Sequence, residues 1–317
     1  MGGPEKSALH IRRCLSVLLI AAVTIAAWAW TAAATPGARA AREATELFRL
    51  QDPELRESSG VAASSRRDGV IFTHNDSGDR PRFFAIDGEG CTVARYVLDG
   101  ADAVDWEDMA RGPGQRGKPT LWFGDIGDNA AARAGIAVYR VAEPKVGRPN
   151  GDTAATGCPV PSESEIAATR FEFRYADGPH DAETLLVHPR TGRLFIVTKS
   201  LSGAPVALYA APRRLRNNTV IQLQRVAAVS PGVVTAGDIS PDGKRLVLRT
   251  YTDAFEWRIP DGDLEAALAA GPTQSSLPPT PQGEAIAYTR TGKAVITTSE
   301  DPGGTGPPVY RIRLDEA

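Results

Sequence analysis

Histidine and cysteine are nearly missing: the chain has four histidines and three cysteines in 317 residues. That scarcity excludes a four-ligand zinc centre, and His74, His180 and His188 show no ligand spacing. No Gly-x-Ser-x-Gly elbow is present, so an α/β-hydrolase serine mechanism has no support. No EF-hand loop and no sustained heptad occurs. The absence of a heptad or an interface-like helix predicts a monomer. Charge of one sign is also lacking: the formal net charge is −2 and the basic residues are dispersed along the chain. A phosphate-backbone binder shows a basic face, so nucleic acid is not the expected partner.

Glycine (31) and proline (24) are plentiful, which suits a fold of many short strands and turns. The N-terminus carries Lys6, Arg12 and Arg13, then an apolar run from Cys14 to Trp30, then small residues to Ala40. A basic start, an apolar middle and Ala-x-Ala-like stretches form an export signal. The apolar run also reaches bilayer-spanning length, so an uncleaved anchor is the alternative. Either way residues 41–317 are expected outside the cytoplasm, secreted or held at the outer face of the cytoplasmic membrane, with membrane contact only through the N-terminal segment. In such an oxidising compartment Cys91 and Cys158 are a candidate disulfide, with two free thiols as the alternative.

Five segments repeat one pattern: a carboxylate, a short apolar strand, a Gly-bearing turn and a second apolar strand. They start at Glu57, Glu107, Glu183, Asp238 and Glu284. The turns His188-Pro-Arg-Thr-Gly192 and Ser240-Pro-Asp-Gly243 place Pro and Gly where turn geometry wants them. Third strands follow at 82–86, 137–141, 207–210, 254–259 and 309–312, and fourth strands at 92–98, 169–175 and 219–226. The fourth unit shows no clear fourth strand; Leu264 to Ala270 reads instead as a short helix. The last unit stops after its third strand, and Glu46–Leu50 is placed to supply the missing one. The spacing predicts an all-β fold: a β-propeller of five four-stranded blades, closed by an N-terminal strand joining the last blade. Six blades fit if the insertion of about 143–165 hides a degenerate one.

The first strand of each blade lines a propeller's central channel. Glu57, Glu107, Glu183, Asp238 and Glu284 are therefore expected to converge near one end of it. Such crowding is costly unless a cation or backbone amides compensate. One reading is a hard, oxygen-ligated cation such as Ca²⁺; the other is that each acid caps a blade by accepting neighbouring N–H groups. Asp102, Asp105, Glu107 and Asp108 around Trp106, with Asp125 and Asp128 after the next strand, form the densest acidic group. Candidate catalytic residues are His74, Asp76, Asp105, Glu107, Asp125 and Asp128, with His74 as a general acid or base. Candidate metal ligands are the five repeat acids with Asp125 and Asp128. Asn75, Lys199, Arg249, Tyr251 and Glu300 are the other rim candidates.

The segments Glu57-Ser-Ser-Gly-Val-Ala, His74-Asn-Asp-Ser-Gly, Asp105-Trp-Glu-Asp-Met-Ala, Gly124-Asp-Ile-Gly-Asp-Asn and Gly283-Glu-Ala-Ile-Ala-Tyr resemble uncharacterised secreted actinobacterial propellers. That group is itself similar to the phytase-like ("esterase-like activity of phytase") propellers. The resemblance runs from about Glu57 onward. It implies a calcium-bound propeller that hydrolyses phosphate esters. The chain departs from that pattern in having an acidic rim with few clustered Lys and Arg. The expectation is thus an extracellular module that binds a small-molecule or cell-envelope ligand, or a protein, through a Ca²⁺-bearing rim. The alternative is a metal-dependent hydrolase of phosphate esters or glycosides.

Overall fold

The computed structural model describes residues 39–40, 43–114, 117–147, 157–201 and 205–314, all within one compact unit, Gly37–Ala317. The export signal or anchor expected over residues 1–40 lies outside the described residues apart from Arg39–Ala40. Among the described residues no helix is long and apolar enough to cross a membrane.

The chain forms a β-propeller of five blades. Strand β1 (Arg39–Ala40) lies on the edge of the fourth blade, and β2 (Glu43–Arg49) completes the fifth. Blade I is β3 (Ser58–Ala63), β4 (Ile71–Asn75), β5 (Arg82–Ile86) and β6 (Thr92–Asp99). Blade II is β7 (Trp106–Pro113), β8 (Pro119–Asp125) and β9 (Ile136–Ala142), then β10 (Ser162–Ala167), which departs to the edge of blade I, and β11 (Thr169–Tyr175), which completes the blade. Blade III is β12 (Ala182–Val187), β13 (Leu194–Thr198), β14 (Ala207–Ala210) and β15 (Val220–Ala228). Blade IV is β16 (Ala236–Ile239), β17 (Arg245–Arg249), β18 (Asp253–Arg258) and β19 (Thr273–Ser276), with helix α1 (Leu264–Ala269) before β19. Blade V is β20 (Gln282–Tyr288), β21 (Val295–Glu300) and β22 (Pro308–Arg313), with β2 paired antiparallel to β22. Joining the two ends of the chain in one sheet removes the open edge of the ring.

Second strands such as β4 and β13 are buried at every position, because a neighbouring blade covers each face. Leu194-Phe-Ile-Val197 in β13 therefore reads as an unbroken apolar run, while β4 buries Thr73, His74 and Asn75 as well as Ile71 and Phe72. Outer strands alternate: in β11 Phe171 and Phe173 are buried while Arg170, Glu172 and Arg174 are exposed. The core consists of apolar layers between successive blades. Phe83, Trp106, Met109 and Phe123 pack between blades I and II; Trp122, Phe171, Leu185 and Ile196 between II and III. Leu186, Ile239, Leu248 and Trp257 fill the gap between III and IV, Val247 and Ile286 that between IV and V, and Phe84 and Ile296 that between V and I. Turns between first and second strands use the left-handed backbone region at Gly192 (φ 68°) and Gly243 (φ 69°), where a side chain would be strained.

Besides the two-residue β1, two strands escape the sequence pattern. β19 is Thr-Gln-Ser-Ser and β10 is Ser-Glu-Ser-Glu-Ile-Ala. Both lie toward the outer edge and carry no apolar alternation. They are strands because a neighbouring edge offers backbone partners: β10 runs parallel to β6, and β19 antiparallel to β18. The insertion, described over 143–147 and 157–165, thus widens blade I and adds no sixth blade among the described residues.

Cys91, at the turn before β6, is bonded to Cys158, with Cα atoms 5.5 Å apart and a sequence separation of 67 residues. The bond ties the insertion to blade I. Constraining the unfolded chain over such a loop is worth about 2–4 kcal/mol. Replacing both cysteines by serine is therefore expected to lower the unfolding midpoint in denaturant and to steepen its slope, because the freed unfolded chain exposes more surface; an unchanged midpoint would contradict this.

Candidate functional site

A β-bulge recurs near the start of the first strands. The register slips between Ser58 and Gly60, Trp106 and Asp108, Ala182 and Thr184, and Gly283 and Ile286. A bulge kinks the strand and re-aims the extra side chain. Ser59, Glu107, Glu183 and Glu284 occupy the bulge in blades I, II, III and V. Blade IV pairs regularly from Ala236 to Ile239. Counting back from the buried residues Met109, Leu185, Ile239 and Ile286 puts Gly237 opposite the three glutamates. Asp238 stands one place further on, level with Asp108.

The bulged acids meet at one mouth of the channel. Carboxylate oxygens of Asp76, Asp105 and Glu107 lie within 4.8 Å of one another, and so do those of Glu107, Asp181 and Glu183. Glu107, 3 % exposed, belongs to both groups. Burial pushes its carboxyl well above the ordinary range, and the charges of Glu183, Asp76 and Asp105 add to the rise. Burial lifts Asp76 to about 6, with Asp105 and Glu57 adding. Glu183 rises to about 8 through burial, although the Lys199 ammonium bonds it and pulls the other way. Burial opposes the charge on Lys199, but Glu183 outweighs it and holds the ammonium above its usual range. The Lys199 ammonium also sits 5.5 Å from the Tyr251 ring. Glu284 and Glu300 rise to about 7, mainly by burial. Oε2 of Glu284 is buried and has no hydrogen-bond partner among the described residues, while Oε1 accepts from Gln282.

Gly127 makes room for this arrangement. A Cβ there would come within 2.1 Å of Glu107 Oε1 and 2.5 Å of Asp105 Oδ2. A methyl there would push both carboxylates out of the small space they share. Several hard oxygen donors from blades I, II and III and a fitted glycine suit an oxygen-liganded divalent cation.

The remaining candidates are placed elsewhere or otherwise engaged. Asp238 does not join the cluster: it is buried and accepts from the backbone of Ile239 and Tyr288, each at 2.8 Å. Asp108 does the same with Met109 at 2.8 Å and Leu185 at 3.0 Å. The two readings of the repeat acids, ligand or blade cap, therefore divide between neighbouring positions. Glu57 is exposed, two residues before its bulge, and its backbone bridges Glu300. Asp125 pairs with Arg133 at 2.8 Å and accepts from the Asp105 backbone. Asp128 accepts from Ala132 and Arg133 and so folds its own loop. Asn75 bonds the Glu57 and Glu54 backbone and Asp79. Arg249, 1 % exposed, donates to the carbonyls of Thr250, Tyr251, Ala285 and Thr298 beneath the mouth.

Asp181 is the ligand-type residue that sequence reasoning missed. The signal was present as an Asp-x-Glu repeat, Asp105-Trp-Glu107 in blade II and Asp181-Ala-Glu183 in blade III. Blades I and V carry Glu57 and Gln282 at the same place.

His74 is fully buried, so it cannot serve as a general base at the rim. Its Nδ1–H donates to the Asn75 carbonyl at 2.8 Å, and its ring lies edge-on to Trp106 and Phe123. Burial lowers its pKa from 6.5 to about 4. The folded state thus holds it neutral. Its contribution is complete above about pH 6.5 and is lost as pH falls through about 4, by about 3 kcal/mol in all. Denaturation of wild type and His74→Gln across that range isolates it: the wild type is expected to lose more stability on acidification. Parallel pH profiles would refute the assignment.

No family model matches the chain, and no curated protein matches it. Solved structures do. A gluconolactonase from Xanthomonas campestris is 15% identical with a TM-score of 0.40, over 78% of this chain and 69% of its own. The WD40 repeats of RRP9 are 10% identical with a TM-score of 0.45, over 88% of this chain and 99% of theirs.

Proposed function

We propose that the chain is an extracellular propeller that binds Ca²⁺ at the channel mouth and uses it to hold an anionic group of a cell-envelope ligand or a protein. The observation that carries this is Glu107: a buried carboxylate shared by two acid groups, against a glycine whose missing side chain leaves them space. Asp76, Asp105, Glu107, Asp181 and Glu183 would hold the ion. Calcium suits them because it takes many oxygen ligands in irregular geometry. A bound cation would leave free coordination positions toward solvent for an anionic ligand. The disulfide and the basic-apolar-small N-terminus support an oxidising location outside the cytoplasm.

Isothermal titration of the chain with CaCl₂ tests this reading. Saturable binding that is abolished by Gly127→Ala supports it, because the added methyl overlaps the carboxylates. Absence of binding by the wild-type chain sinks it. A metal-dependent hydrolase of phosphate esters or glycosides is the second reading, in line with the phytase-like resemblance. It is favoured by one feature, the sharing of Glu107 between two triads, since a bridging carboxylate can hold two cations close enough to activate water. Turnover of a phosphomonoester or aryl glycoside in calcium, lost in chelator, would move the assignment there.

A further inference from the structure

The near-zero net charge conceals a separation. The acids gather where the first strands begin; the turns where those strands end lie at the opposite mouth. Each of those five turns carries an exposed basic residue: Arg66, Lys118, Arg190, Lys244 and Lys293. The acids in the same turns are Asp68 and Asp242. Asp68 is paired with Arg290 at 2.6 Å, and Asp242 accepts from the Lys244 backbone. Loops further out carry both signs: Asp87 and Glu89 in blade I, Arg213 and Arg214 in blade III, Asp261 in blade IV. The inner ring of turns is therefore the cationic part. Basic residues scattered along the sequence are brought together by the fivefold repetition of one turn.

Between blades I and V this end opens into a cavity of about 500 Å³. Its apolar floor includes Phe48, Ile71 and Ile296; Arg67 and Lys293 stand around it, together with the Arg290–Asp68 pair. Strand β2 enters its blade from this same end, since Glu43 pairs with Arg313. In the sequence the apolar run Cys14–Trp30 precedes β2.

We infer that the basic end of the ring docks on an anionic phospholipid surface, headgroup phosphates meeting the turn residues and the cavity between blades I and V, so that the acidic mouth faces away from the bilayer. A ring of single cations spread over a disc matches a planar array of phosphates, whereas a nucleic acid needs a continuous basic groove or stripe. The apolar floor beneath the cations suits the glycerol and first acyl carbons below a headgroup. The inference does not depend on a metal at the other mouth.

The test uses the compact unit from Gly37 onward, which contains the closed ring, and vesicles of phosphatidylcholine with or without phosphatidylglycerol. Co-sedimentation is expected only with the anionic vesicles and is expected to weaken steeply with added salt. In the variant Lys118→Gln, Arg190→Gln, Lys244→Gln, Lys293→Gln, the partition coefficient should fall several hundred-fold, at roughly a factor of five for each basic residue removed. These side chains are exposed, and an unchanged melting temperature of the variant verifies its fold. Equal binding to both vesicle types, or full binding by the variant, overturns the proposal. Displacement from vesicles by an equal charge of duplex DNA would also overturn it, in favour of a general polyanion site.

Discussion

Glu107→Gln is expected to remove calcium's stabilising effect on the propeller while making the metal-free protein more stable. In the wild type, an ion bound at a thousand times its dissociation constant adds about 4 kcal/mol, or a rise in melting temperature on the order of 10 °C. Glu107 contributes to both carboxylate groups, so its loss disrupts every arrangement in which the mouth could chelate an ion. Without calcium the sign reverses. Burial and neighbouring acids hold the Glu107 carboxyl well above its ordinary pKa, so ionising it in the folded state is unfavourable. A neutral, isosteric glutamine removes that cost. Melting curves of both proteins in calcium and in chelator, taken at about pH 8, should therefore cross in rank. A variant that keeps the calcium-dependent rise would show that the ion binds elsewhere.

The same groups give the metal-free wild type a characteristic pH dependence. Glu284 and Glu300 rise to about 7 and Glu183 to about 8, from an ordinary 4.5. An acid whose pKa is raised on folding stabilises fully below its unfolded value, and that benefit fades as pH climbs through the folded value. In chelator, stability should decline between about pH 5 and pH 8, and calcium should flatten the decline. His74 acts in the opposite direction below 6.5, but three carboxyls outweigh one imidazole, so it blunts the decline without reversing it.

The blade count and the closure by an N-terminal strand were legible because apolar periodicity and turn residues report directly on backbone structure. Glu46–Leu50 could be assigned to blade V because a circular array has to close. The site was legible at lower resolution. A repeat of carboxylates marks the channel, but a bulge shifts register by one residue, and sequence shows no bulge. That is why Glu107 and Asp238 are equivalent in the sequence repeat and not in the fold: one is the bulged residue of its strand, the other sits in an unbulged strand one place further on. Asp125 and Asp128 have the composition of a cation loop, yet Arg133 and the loop's own N–H groups engage them. No local pattern predicts that an arginine eight residues after Asp125 will fold back to neutralise it. Polar strands β10 and β19 were invisible because edge pairing requires no apolar face.

Asp108 and Asp238 carry the largest expected effect on stability. Propeller blades share no sheet with both neighbours near the axis, so side chains must satisfy the N–H groups of the first strands there. Asp108 accepts from Met109 in its own blade and Leu185 in blade III, and the Gly237 N–H of blade IV also faces it. Asp238 accepts from Ile239 and from Tyr288 in blade V. Ser59 Oγ donates to the Glu107 carbonyl between blades I and II, and Ser58 bonds Thr298 between I and V, so the chain of links runs round the ring. Alanine at Asp108 leaves buried N–H groups without acceptors, each costing about 1–3 kcal/mol, so a loss of about 4 kcal/mol is expected. Asp238→Ala should cost about 3 kcal/mol by the same reasoning. The charges of the two aspartates repel, so removing both relieves a little of the sum. The double variant still approaches the whole stability of an ordinary domain and should be largely unfolded at room temperature. Urea midpoints of the single variants and far-ultraviolet circular dichroism of the double variant test this. Losses below about 1 kcal/mol would mean that inter-blade packing, and not these carboxylates, holds the ring together.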